Sequence, residues 1–249
     1  MQTWRLLLEY DGTDFSGWQV QPGQTTVQGE VERALQNVFA QPNLRVIASG
    51  RTDAGVHALG QVVSFRASAE RQPNQVRDGL NSMLPPQIAC LRAEPVSPEF
   101  HAQKSAVGKL YRYVLRVGPC RTALRRDRCW QVRYPLDLDA MGQALSLLVG
   151  RHDFTSFRAA GCSAKSPVRE VSTAEIRPME DAIWIELYGE GFLRHMVRNI
   201  VGSLHEIGRH NRPPSWFSEL LEARDRTQAG VTAPPQGLFL VRVDYPGFS

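Results

Sequence analysis

The order of strand-like and helix-like segments constrains this chain more than any single motif. "WRLLLEYDG", near the start, reads as a strand running into a turn. "TTVQGEVERALQNVF" places Val27, Val31, Ala34, Leu35 and Val38 at helical spacing, with Thr25 or Thr26 able to cap the start. "LRVIASG" and "GQVVSFRA" read as strands. "PNQVRDGLNSML" reads as a helix with Val76, Leu80 and Met83 on one face, stopped by Pro85-Pro86, and "IACLRAEPV" closes as a strand. The same order then recurs. "KLYRYVLRVG" is a strand and "LDLDAMGQALSLLVGRHDF" a helix, followed by the strands "REVSTAEIRPM" and "AIWIELYGEGF" and the helix "RHMVRNIVGSLHEIGRH". An extra helix, "PPSWFSELLEAR", precedes the final strand "GLFLVRVDYP". This repetition predicts an α+β chain of two tandem ferredoxin-like βαββαβ halves, with antiparallel sheets joined around a central cleft. The break in pattern at "SPEFHAQKSA" sets the halves at 1–103 and 104–249.

With 249 residues, 42% hydrophobic and 22% charged, the chain can build a packed core. No run of about 18 apolar residues is present, so no membrane-spanning helix is expected. "MQTWRLLLEYDG" lacks the features of a secretory signal, and a cytoplasmic location is expected. Cys90, Cys120, Cys129 and Cys162 show neither CxxC spacing nor nearby paired histidines, so no metal site and no disulfide framework are expected. Walker A, dinucleotide-fingerprint, GxSxG and carboxylate-rich metal motifs are missing too, which leaves chemistry that runs on side chains without a cofactor.

Net charge is +4, and the only lysines are Lys104, Lys109 and Lys165. Arginine offers a planar fork of donors suited to phosphates, although genome composition or thermal adaptation gives the same bias. The local cluster Arg121, Arg125, Arg126 and Arg128, close to Trp130, is more specific. Such crowded guanidiniums call for solvent or an anion between them, and a nucleic-acid backbone is a fitting partner.

Three segments carry candidate chemistry. In "SGRTDAGVHALG", Asp53 sits two residues after Arg51 and four before His57, among small residues. An ordinary turn explains such an aspartate. A carboxylate kept ionised by a guanidinium, in a loop that a ligand can approach closely, is the functional alternative. In "GKLYRYVL", Tyr111 and Tyr113 share one face of a strand, either as core or as a ring offered to a flat base. In "GFLRHMVRNIVGS", Arg198 has apolar neighbours and so needs a carboxylate or phosphate partner, whether in a structural ion pair or in a site.

"GRTDAGVHA", "KLYRY" and "GFLRHMVRNIVG", with the opening "LEYDGTDFSGWQVQP" and the closing "GLFLVRVDYP", strongly resemble the tRNA pseudouridine synthase A family over essentially the whole chain. The resemblance implies isomerisation of uridine to pseudouridine at positions 38, 39 and 40 of the tRNA anticodon stem and loop, by a homodimer without cofactor. It implies Asp53 as the nucleophile, Arg198 as its ion-pair partner, and Tyr111 packed on the target base. Arg51 would contact the flipped-out RNA, and Leu238 would line the base pocket. Arg121, Arg125, Arg126 and Arg128 are candidate phosphate contacts, and His57 is either structural or an RNA contact. A non-catalytic tRNA-binding protein is the alternative; the chain lacks the aromatic octamer typical of sheet-based RNA binders.

Overall fold

A computed structural model describes residues 1–247. In chain order the elements are β1 (Gln2–Tyr10), α1 (Val27–Phe39), β2 (Ile47–Ala48), β3 (His57–Ala67), α2 (Pro73–Asn81), β4 (Ile88–Val96) and β5 (Gly108–Val117). Next come β6 (Trp130–Val132), α3 (Leu138–Ser146), β7 (Gly150–Asp153), β8 (Val168–Pro178), β9 (Ile183–Gly189), α4 (Met196–Gly208), α5 (Trp216–Ala223) and β10 (Leu238–Asp244). The described residues thus form a mixed α/β fold with five α-helices. They divide into two compact units, Met1–Val107 with the chain from Phe239 onward, and Gly108–Leu238. The last strand is therefore grouped with the first unit, although the order of elements alone places it in the second half.

In the first unit the strand order is β4-β1-β3-β10, with β2 also on β3. β1 is antiparallel to β3 and β4, and β10 runs parallel to β3 through Phe239 opposite His57 and Leu240 opposite Ala58. Alternation along β1 sends Trp4, Leu6, Leu8 and Tyr10 to one buried face. α1 packs there: Phe39 meets Trp4 and Phe65 edge-on at 5.9 and 5.5 Å, and Trp4 stacks on Phe65 at 6.4 Å. Each such buried side chain stabilises the fold by about 1.5–3 kcal/mol. Thr26 caps α1 by accepting a hydrogen bond from the Gly29 N–H. The opposite sheet face is covered by a second cluster around Val62, Ala102 and Tyr245. Met83 differs from the expectation: α2 ends at Asn81, and Met83 is exposed.

In the second unit the order is β5-β9-β8-β7, with β6 parallel to β5. Tyr111, Tyr113 and Leu115 of β5 are buried with Ile183, Ile185 and Leu187 of β9. α4 covers them with Ile200, Leu204 and Ile207. The opposite register position, Arg112, pairs with Glu186 at 2.7 Å and lies over the Trp184 ring at 3.7 Å. The segment read as a single helix through Phe154 splits after Ser146. Its last turn tightens through the Val149 N–H bond to Ser146, and Gly150 at φ +110° turns the chain into β7, which pairs with β8.

Candidate active site

The Asp53 loop is built by the first unit. Asp53 to Val56 form a turn closed by the Val56 N–H donating to the Asp53 carbonyl at 3.1 Å. Its third residue, Gly55, has φ +75°, the requirement of a type II turn. Gly12 lies directly against the turn: a Cβ built there would sit 2.0 Å from the Val56 carbonyl oxygen. Gly55 and Gly12 are therefore small for a structural cause.

Buried polar side chains fix the segment that leads into the loop. Gln61, wholly buried on β3, donates through Nε2 to the Gly50 carbonyl at 3.0 Å and to the Tyr10 hydroxyl at 3.4 Å. Its Oε1 accepts from Ser49 Oγ at 2.7 Å. The Tyr10 hydroxyl in turn meets Thr52 Oγ1 at 2.8 Å, and the Thr52 carbonyl accepts from the Trp18 N–H at 3.0 Å. Burial pushes the Tyr10 phenol up to about 12, so it stays protonated. Ser49, Gly50 and Thr52 are thus each anchored immediately before Asp53, which is itself half-buried, while Arg51 between them is exposed. Gln61 and Tyr10 were not singled out in the sequence. The available signal was one amide in the otherwise apolar run "GQVVSF".

His57 is 2% exposed. Its Nδ1 lies 3.1 Å from both the Gly12 N–H and Asp11 Oδ1, and its ring stacks on Phe239 at 4.7 Å. These contacts tie β3, β10 and the Gly12 turn together.

The second unit holds Tyr111, Arg198 and Leu238. Tyr111 is 8% exposed and meets Phe192 edge-on at 5.1 Å. Tyr113, fully buried on the same strand face, donates its hydroxyl to the Pro234 carbonyl at 2.7 Å. Arg198 is half-buried near the start of α4. Its Nε donates to the Ala233 carbonyl at 2.7 Å, and its own carbonyl accepts from the Ala233 N–H at 3.1 Å. One residue further along the same helix, Asn199 donates to the Phe157 carbonyl and accepts from Thr232 Oγ1 at 2.7 Å. Arg198, Asn199 and Tyr113 thereby pin residues 232–234, which lead through a tight turn to Leu238, buried at the first position of β10. Lys109 shares the Tyr111 strand face, and burial holds its ammonium below the usual lysine range, with nearby Arg169 acting in the same direction.

Arg121, Arg125, Arg126 and Arg128 are all exposed. Arg125 pairs with Asp181, whose carboxyl it holds below the usual range, and Arg126 pairs with Asp127 at 3.0 Å. Among the described residues no helix is long and apolar enough to cross a membrane.

The ensemble is that of a chain with an acid on a braced loop and an aromatic strand beside a pinned arginine. A family model described as tRNA pseudouridine synthase matches residues 7–103 and 144–246. A protein of Syntrophotalea carbinolica described as tRNA pseudouridine synthase A is 48% identical over 98% of this chain and 97% of its own length. Proteins with the same description from Nitrosococcus oceani and a Geobacillus species are 48% and 45% identical, each over 96% of this chain and over 92% and 96% of their own lengths. The chain belongs to the tRNA pseudouridine synthase family.

Proposed function

We propose that this protein isomerises uridine to pseudouridine in tRNA, at positions 38, 39 and 40 of the anticodon stem and loop, with Asp53 as the nucleophile. The observation that carries the reading is the braced turn: the family motif "GRTDAGVHA" lies where buried Gln61, Tyr10 and Thr52 immobilise the backbone that leads into a half-buried carboxylate. A nucleophile held in this way loses little freedom on reaching the reacting carbon.

The reaction breaks the N–C glycosidic bond, turns the uracil and forms a C–C bond between the same two rings; the C5 hydrogen leaves as a proton, and the freed ring nitrogen takes one up. Substrate and product contain the same atoms in the same oxidation state, so the chemistry calls for no cofactor. The uridine must leave its stack to reach the acid. Tyr111 is the ring on which the base packs, and Leu238 contributes the apolar lining that keeps water from the detached base. Arg198 is the guanidinium that keeps the Asp53 carboxylate charged and oriented; this role rests on the family resemblance. Arg51, exposed beside the acid, contacts the flipped-out RNA. Arg121, Arg125, Arg126 and Arg128 meet phosphates. His57 is assigned a structural role, because its ring is buried against Phe239 and Gly12.

Each unit is read as one ferredoxin-like half. The order β4-β1-β3 with β2 on β3 supports this in the first unit, and β5-β9-β8 supports it in the second. The protein is further proposed to act as a homodimer in the cytoplasm. The test is incubation with bulk unmodified tRNA carrying 5-tritiated uridine. Tritium release, with new pseudouridine mapped to positions 38–40, is expected; tRNA binding without release would favour the non-catalytic alternative.

A further inference from the structure

The arginine-rich turn roofs a cavity of about 370 Å³, lined by Arg121, Thr122, Arg126, Trp130, Gln131 and Gln236, among others. We propose that this cavity holds one unpaired nucleotide of the bound tRNA other than the reacting uridine, with its base against the Trp130 indole and its phosphates on Arg121 and Arg126. The inference rests on the tRNA reading above.

The size falls within the range of small-molecule sites, and the lining combines an indole, two guanidiniums and side-chain amides, the groups that together recognise a base and its phosphates. A base paired within a stem cannot enter such a cavity, so the occupant comes from a loop, bulge or end.

The wall is built rather than incidental. Trp130 is held edge-on by Tyr113 at 6.3 Å and by the tilted His205 ring at 4.7 Å. Gln131 is fixed by donating to the Gly118 carbonyl at 2.8 Å and accepting from Arg116 at 3.2 Å. The turn above is ordered by its own bonds, from the Arg125 N–H to Thr122 Oγ1 at 3.2 Å and from the Arg128 N–H to the Arg125 carbonyl at 2.9 Å.

The arginines are not equivalent. Arg125 is committed to Asp181. Arg126 shares its charge with Asp127, and Arg121 has no ion-pair partner among the described residues. Arg121 and Arg126 border the cavity, and a phosphate there would compete with Asp127 for Arg126.

The test compares wild type, the double variant Arg121→Ala/Arg126→Ala, Trp130→Leu and Trp130→Phe. Binding of an unmodified tRNA transcript is measured across a salt series, beside pseudouridine formation. The double variant should raise Kd about tenfold at 0.1 M salt and reduce the slope of log K against log salt by about 1–2. Trp130→Leu should weaken binding about tenfold with the slope unchanged, and Trp130→Phe should restore most of it. The two arginines are exposed, so the double variant keeps its fold and decides the matter even if the Trp130 variants unfold. A wild type that modifies tRNA, beside a double variant with unchanged Kd and slope, overturns this inference alone. A wild type that neither binds nor modifies tRNA overturns the enzyme reading and this one together.

Discussion

The Asp53 loop and the Arg121–Arg128 turn are both irregular, both carry charge, and are held in opposite ways. The first is anchored from beneath by wholly buried side chains, Gln61 and Ser49, and by Tyr10 and Thr52. The second lies in solvent, and its arginines pair with exposed acids such as Asp181 and Asp127. Bond rearrangement tolerates little displacement of the reacting group, whereas attraction to phosphates tolerates much more. In the proposed enzyme, rigidity falls where the Asp53 carboxylate would meet one carbon, and adaptable charge where phosphates would be gripped.

The contrast can be broken from the braced side. Gln61→Ala strips partners from Ser49, the Gly50 carbonyl and the Tyr10 hydroxyl at once. It should lower kcat on the order of 10²-fold while leaving KM for tRNA within a few-fold, because the acid shifts and the RNA contacts do not. A matching rise in KM would show that the brace serves binding instead. Tyr10→Phe removes only the hydroxyl between Gln61 and Thr52. Denaturant unfolding should show a loss of about 1–3 kcal/mol, with a smaller drop in kcat.

From the charged side, Arg125→Ala removes an exposed ion pair with Asp181. It should change thermal stability by less than about 1 kcal/mol and weaken tRNA affinity by only a few-fold, since the phosphate must compete with Asp181 for the guanidinium. An unchanged affinity would mean that Arg125 stays with Asp181 and does not grip RNA.

The smallest effect concerns pH. Burial holds the His205 imidazole below the ordinary value of 6.5, so the folded state binds its proton less readily than the unfolded state. Its cost to stability is absent above pH 6.5 and grows as the pH falls from 6.5 through the lower folded-state value. Glu206, held low by Asn211 and His205, loses its contribution only below 4.5. A modest fall in Tm between about pH 7 and 5.5 is expected, and His205→Phe, which keeps a ring against Trp130, should flatten it. A wild-type profile already flat over that window would contradict this.

Much of this arrangement was legible in the sequence because periodicity reports on burial. Val27, Val31, Ala34 and Leu35 mark the buried face of α1, and alternation in "KLYRYVL" separates Tyr111 and Tyr113 from Arg112. What was not legible depends on contacts distant in sequence. Gln61 reaches Tyr10 across 51 residues, and Tyr113 reaches Pro234 across 121. No local pattern shows that an amide in a strand will support a loop, or that a tyrosine will hold the segment leading to Leu238. Local geometry also hid the split of α3 from β7, because the apolar spacing of Leu145 and Leu148 continues past Ser146, where the helix ends, up to Gly150, which turns the chain. The glycines around Asp53 were visible, but the close approach of Gly12 to Val56 was not.

The most direct measurement is single-turnover pseudouridine formation by Asp53→Ala, read beside its tRNA affinity. The account predicts that turnover disappears while Kd stays within a few-fold of wild type, because the carboxylate performs the chemistry and other residues hold the RNA. Substantial pseudouridine formation by that variant would contradict it.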